Sequence, residues 1–372
     1  MSFYQNFRDD LKNIPGWHTS NKIVIIECDD WGSIDMPSME VYERLVSAGI
    51  KVEQRMWNRY DTLETAEDLE QIYSVLDSVR DQNNNPAVMT PVTNMANPDF
   101  KKIKSGGFVE YYYEKFTDTL KHYYQDSDVF KLWREGMDAG IFVPELHGRE
   151  HIAVPLWLQK LKEGNKDLLV AFDQGFVSPY IPDLLSLTKW FRAEFFFTSE
   201  EEKPFLIGAL KDSVVLFKEI FGHLPRVFVP ANGIFHPDFD ATVASSGIKF
   251  LCVSHSMPYP VNDGELKYRH FIPGQKGPGS LTYYTRNCSF DSTSEGYKGV
   301  DPTMKQIAAA FRWGKPANIS THRVNFVGGM VPANREKGLN ELKKLLNGIL
   351  KRWPDVEFMS SGDALEFMRR TN

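Results

Sequence analysis

Lys22-Ile23-Val24-Ile25-Ile26-Glu27-Cys28-Asp29-Asp30-Trp31-Gly32 is an apolar, β-branched run that stops abruptly at two adjacent carboxylates and a turn glycine. Such a run, with no polar alternation, is the pattern of a strand buried on both faces, and strands of that kind belong to parallel sheets covered by helices. In α/β folds the carboxyl ends of the strands carry the site, so Asp29 and Asp30 fall where chemistry is expected. Neighbouring side chains diverge, which lets one carboxylate bind a metal while the other accepts a proton beside it. A plain turn or the cap of a helix starting near Pro37 would also place aspartates here.

Working outward, short β-branched and aromatic runs predict strands at 22–28, 86–93, 141–146, 168–172, 194–198, 226–230, 249–254, 281–285, 317–321 and 356–360. Apolar residues at helical spacing predict helices at 38–48, 66–80, 109–123, 205–221, 304–313 and 336–353, several ending in glycine, as Ala48-Gly49 and Phe221-Gly222 do. The alternation is a βα series. No linker, repeat or low-complexity tract divides it, so the 372 residues read as one catalytic domain, core about 20–370, with insertions near 108–133 and 257–279.

Composition narrows the partners. With 43 basic against 49 acidic residues the net charge is -6, which offers no broad attraction for nucleic acid or anionic membrane. The first residues lack a basic start followed by an apolar run, and no segment stays apolar for the ~18 residues of a membrane helix, so the expectation is a cytoplasmic protein. Cys28, Cys252 and Cys288 are odd in number and widely spaced, which argues against a disulfide framework and a structural zinc knuckle. Oligomeric state is not legible.

Two further signals close predicted strands. Glu145-Leu146-His147-Gly148-Arg149-Glu150-His151 follows Ile141-Phe142-Val143, and histidines four apart can reach a single ion. Asp30, His147 and His151 together supply three ligands and leave positions open, the catalytic arrangement rather than the structural one. Ala317-Asn318-Ile319-Ser320-Thr321-His322-Arg323 presents a lone histidine at another strand end. Strand ends on one barrel face converge in space.

Taken in order, these segments resemble the polysaccharide deacetylase family, the NodB-like carbohydrate esterases. The resemblance implies a distorted TIM-like (β/α) barrel of NodB type. Glu27-Cys28-Asp29-Asp30-Trp31-Gly32 is similar to the TFDDG motif, which would make Asp29 the general base and Asp30 a metal ligand. His147-Gly148-Arg149-Glu150-His151 resembles H-[ST]-x-x-H without its hydroxyl residue, and implies His147 and His151 as the other ligands. Ile319-Ser320-Thr321-His322 resembles the Leu-x-x-His motif, from which His322 inherits the role of general acid. The Arg-Pro-Pro-Tyr-Gly motif departs: in Val229-Pro230-Ala231-Asn232-Gly233 the arginine that orients the base is Val229 and the tyrosine is Asn232. Arg149, Arg226 and Arg323 are the candidate replacements.

The implied activity is a metal-dependent deacylation of a carbohydrate or small-molecule amide or ester. Zinc is the default metal, with cobalt, nickel or iron open. Trp31, Trp57, Trp157 and Phe235 are candidate sugar-stacking residues, although each also suits a core. His147-Gly148-Arg149-Glu150-His151 matches as well the H-x-x-E-H zinc peptidase motif with Glu150 as base, which requires a continuous helix that Gly148, Pro144 and Pro155 disfavour. A facial-triad iron oxygenase and a catalytically lapsed binding protein are the remaining alternatives.

Overall fold

The computed structural model describes residues 10–182 and 190–372. Its centre is a nine-stranded parallel sheet built from β1 (Lys22–Trp31), β2 (Met89–Asn94), β3 (Glu145–Gly148), β4 (Val227–Phe228), β5 (Phe250–Cys252), β6 (Thr282–Tyr284), β7 (Cys288–Ser289), β8 (Ala317–His322) and β9 (Val356–Phe358). The strand order is β6-β5-β4-β3-β2-β1-β8-β7, and β9 pairs with the beginning of β1. The two outermost strands, β6 and β7, are consecutive in the chain and separated only by Thr285, Arg286 and Asn287. Three residues therefore stitch the edges of the curled sheet, and the result is a distorted TIM-like (β/α) barrel.

Burial follows from this arrangement. Every residue of β1 except Lys22 is buried, as expected for a strand with neighbours on both sides and helices beneath. The covering helices begin where local chemistry lets them. Ala66–Asp77 opens with a reciprocal capping box between Thr65 and Asp68, and Met39–Ser47 is capped by Ser38.

Two predicted strands are corrected. Residues 168–172 lie within a helix, Lys166–Asp173, because Asn165 accepts a hydrogen bond from the Leu168 amide and caps it. Residues 194–198 form turns, with the Phe196 amide bonded locally to the Ala193 carbonyl. Both were short apolar runs, for which period alone does not separate a buried strand from a buried helix or turn. The predicted helix at 109–123 is helical only over Phe116–Tyr123; Tyr113–Lys115 instead pairs antiparallel with Ala96–Pro98. The long stretch at 257–279 is shaped by a hairpin, Ser256–Pro260 against Leu266–His270, and Met257 from it lines the main cleft.

Candidate active site

β1, β3 and β8 deliver their terminal residues to one end of the barrel, the carboxyl end, where a cleft of about 770 Å³ opens. Asp29 is in direct register with His322 across the β1/β8 ladder. The next residue, Asp30, sits at φ 73°, a left-handed conformation rare for a residue with a Cβ, at the point where the β1/β2 register shifts. That bulge brings the Asp30 carboxylate to the histidines. Its Oδ1 lies 2.9 Å from His151 Nε2 and 3.5 Å from His147 Nε2, and the three ligand atoms fall within 4.8 Å of one another.

The set fits a metal ion on its own chemistry. His147 Nδ1 donates to the Val229 carbonyl at 2.7 Å, which fixes the tautomer and leaves Nε2 with its lone pair aimed at Asp30. That Nε2 is buried and has no hydrogen-bond partner among the described residues. Burial, with help from Arg192, pushes the His151 imidazole down to about 4, so it is neutral at physiological pH. Burial works against the Asp30 carboxylate, but His151, whose Nε2 lies 2.9 Å away, does most to bring it below the usual carboxylate range. Ligands at ~2.0–2.1 Å around a tetrahedral ion lie roughly 3.3 Å apart, close to the 2.9 and 3.5 Å that separate Asp30 from the two histidines.

Asp29 is held by a residue the sequence reading passed over. Arg286, in the three-residue stitch between β6 and β7, donates from Nη1 to Asp29 Oδ2 at 2.6 Å and from Nη2 to Asp29 Oδ1 at 2.7 Å. Its Nε reaches Glu27, which also accepts from Tyr284 and Ser361. The guanidinium thus forks onto the carboxylate while its back edge is anchored to a buried acid. Burial pushes Asp29 up, and Arg286 reverses this, so Asp29 lies below the usual carboxylate range.

His322 is held on the opposite side. Its Nδ1 lies 2.9 Å from Asp291 Oδ1, whose position Asn325 fixes with a 2.8 Å bond, and Trp57 lies against the ring at 4.7 Å between centroids. Burial opposes a charge on the ring, but Asp291, Asp30 and Asp29 raise it to about 9. Nδ1 faces Asp291, leaving Nε2 as the free edge of the ring.

The other candidates divide plainly. Asn232, at φ 54°, and Trp57 line the cleft. Trp31 does not: its ring packs edge-on against Trp133 and Phe142 in the core. Trp157 and Phe235 are core residues as well. None of the three proposed replacement arginines reaches Asp29. Arg149 grips Glu150 at 2.6 and 2.8 Å beneath Tyr113, Arg226 pairs with Asp363 and Glu145, and Arg323 is fully buried on Asp61 and Glu64. The peptidase reading fails here, because His147 and Gly148 end a strand, no helix spans 147–151, and Glu150 is locked to Arg149.

The missing hydroxyl residue also has a structural cause. Gly148 has φ 145°, and a Cβ there would overlap the Glu194 carboxylate, whose Oε1 accepts from the Arg149 amide at 3.0 Å. Glu194 thus occupies the space a side chain at 148 would need.

No protein-family profile matches the chain, and no curated protein sequence does. Solved structures do. A glycoside hydrolase/deacetylase from Parabacteroides distasonis, described as putative, superposes with a TM-score of 0.50 at 11% identity over 96% of this chain and 73% of that one. A putative polysaccharide deacetylase from Mycobacterium smegmatis gives 0.46 at 10% identity over 96% and 94%. A 4-α-glucanotransferase from Thermococcus litoralis gives 0.45 at 9% identity over 93% of this chain, which spans only 40% of that protein. The distorted (β/α) barrel fold is shared with the Parabacteroides distasonis protein. Among the described residues no helix is long and apolar enough to cross a membrane.

Proposed function

We propose that this chain is a metal-dependent hydrolase that removes an acetyl or other acyl group from a carbohydrate or small amide, working as one catalytic unit. The observation that carries the reading is the convergence of three buried ligand atoms, from Asp30, His147 and His151, between a clamped carboxylate and a clamped imidazole. Asp30, His147 and His151 would hold a divalent cation, zinc by default. Such an ion, when bound, supplies Lewis acidity and lowers the pKa of water toward ~7.

The chain's own residues do the rest. Asp29, kept ionised and aimed by the Arg286 fork, accepts the proton of the attacking water as general base. His322 stands directly across the ladder and is protonated at neutral pH, so it donates a proton to the departing amine or alkoxide. Asp291 keeps that proton in place and the ring in orientation. In this reading Arg286 takes the orienting role for which position 229 has only a valine.

Acetate release from N-acetylated and O-acetylated sugars by the metal-loaded protein, compared with Asp29→Asn and His322→Ala, tests the reading. Metal retention with strongly reduced turnover is expected in both variants. Full activity in Asp29→Asn sinks the base assignment.

A further inference from the structure

The hydrolase reading fixes two of the directions that leave the scissile carbon. The water faces Asp29 at the end of β1, and the departing nitrogen or oxygen faces His322 at the end of β8. The acyl chain is left the far side of the mouth. In the strand order β4 lies four strands from β8 and β5 lies five, so in the curled sheet both stand opposite His322. β4 runs into Val229 and Pro230, and β5 ends in Cys252 with Val253 next; Phe228 pairs with Leu251, which sets these ends side by side. Met257 joins them, because the Phe235 amide bonds to the Pro258 carbonyl at 3.3 Å and ties the hairpin to the loop after β4. All five line the cleft and are buried, and the 2.7 Å bond from His147 to the Val229 carbonyl places the patch beside the ligand set.

This patch suits an alkyl chain and not a sugar ring. The Val229 carbonyl is engaged by His147, the Pro230 carbonyl accepts from the Gly233 amide, and the Val253 amide donates to the Tyr284 carbonyl. Cys252 behaves as a small hydrophobe. Arg286, which follows the neighbouring strand β6, is committed to Asp29 and Glu27. Asn232 and Ser254, the polar side chains that the same two loops add to the cleft, are exposed rather than buried with the five. Hydroxyls laid on such a surface lose water without replacement, whereas methylenes leave water at a gain.

We infer that the β4–β5 side of the mouth holds the acyl chain, and that the group removed is longer than acetyl: a short aliphatic acyl group, propionyl or butyryl. This inference rests on the hydrolase reading, which assigns the opposite side to the leaving group. The acyl carbon gains the water oxygen and loses the nitrogen or oxygen of the leaving group. One water proton passes to Asp29 and the departing atom takes the proton of His322, so a short-chain fatty acid and a free amine or alcohol are produced. Each methylene buried on an apolar wall strengthens binding about fourfold, so affinity reads the chain length directly.

The test uses N-acetyl-, N-propionyl- and N-butyrylglucosamine, which differ only in the acyl chain. Affinities are measured by calorimetry on the metal-loaded protein, and release of the free amine is followed in parallel. From acetyl to butyryl, affinity and kcat/KM should both rise about tenfold or more. Val253→Thr and Met257→Gln, which put a polar group into nearly the same volume, should each lower the butyryl-to-acetyl ratio by about threefold or more, and Met257→Leu should keep it. The wild-type series decides the matter even where a variant fails to fold. Affinity that does not change with chain length, or no binding by any of the three, overturns the proposal. Affinity that rises with chain length without amine release upholds the acyl-binding patch and overturns the hydrolase reading, whereas release that is fastest from the acetyl compound does the reverse.

Discussion

Arg286 is the residue whose removal tests the geometry hardest. Substituting Gln deletes a charge that faces two buried carboxylates, Glu27 and Asp29, and that makes a bidentate contact with Asp29 at 2.6 and 2.7 Å. Breaking a buried ion pair by removing one partner costs about 3–5 kcal/mol. In a chain of this length, with an unfolding entropy of about 2.1 cal/mol/K per residue, that corresponds to a fall in Tm of roughly 4–6 °C. Burial, then opposed only by His147 and His322, raises the Asp29 pKa, and the carboxylate is free to rotate. A misdirected, partly protonated base should lower kcat by about 10²–10⁴-fold. Arg286→Lys separates the two effects. It keeps the charge and most of the stability, but an ammonium is a point donor that cannot hold both oxygens, so kcat should remain low. Urea or thermal unfolding, metal content and acetate release are measured on both variants. Arg286→Gln within about 1 kcal/mol of wild type, or Arg286→Lys with full turnover, would refute the clamp.

Other consequences follow from the same distances. Because His322 must carry its proton to act as an acid, kcat/KM should fall as pH rises through its pKa, which is about 9 before a cation binds and lower after. Asp291→Asn, which removes the nearest carboxylate, should move that alkaline limb down by roughly one to two pH units; an unmoved limb in the pH profile excludes His322 as the titrating acid. Gly148→Ala should cost about 2–4 kcal/mol, since the new Cβ meets Glu194 at a positive φ. Metal affinity should fall with it, as read by competition with a chelator. Glu150→Gln should reduce stability by loosening Arg149 and leave the rate-pH profile unchanged, whereas a peptidase-type base at 150 would lose turnover outright.

Much of the candidate site is legible in the sequence because its residues end strands. The run from Lys22 through Ile26 announces a buried parallel strand, and the polar residues that break it, Asp29 and Asp30, lie at the mouth for that reason alone. The same logic found His147 and His322. It does not single out Arg286, because the motif resemblance places the orienting arginine at 229, where this chain has Val229. Arg286 also closes a predicted strand, 281–285, and a strand-end rule applied to cations as well as to acids and histidines would have found it. The bulge that turns Asp30 inward was not readable, since a left-handed Asp carries no sequence mark that separates it from an ordinary one. Nor was the 168–172 helix, where an Asn165 cap three residues upstream outweighed an apolar run that could equally have been a strand. Trp31 shows a last limit: it adjoins Asp30 in sequence, but its side chain lies in the core.

The most direct measurement is elemental analysis of the purified, metal-reconstituted protein beside His151→Ala. About one equivalent of divalent metal in wild type, lost in the variant while its circular dichroism is preserved, is the expected result. Wild-type protein that takes up no metal, or a variant that keeps it, would contradict the Asp30–His147–His151 centre and with it the hydrolytic function proposed for this fold.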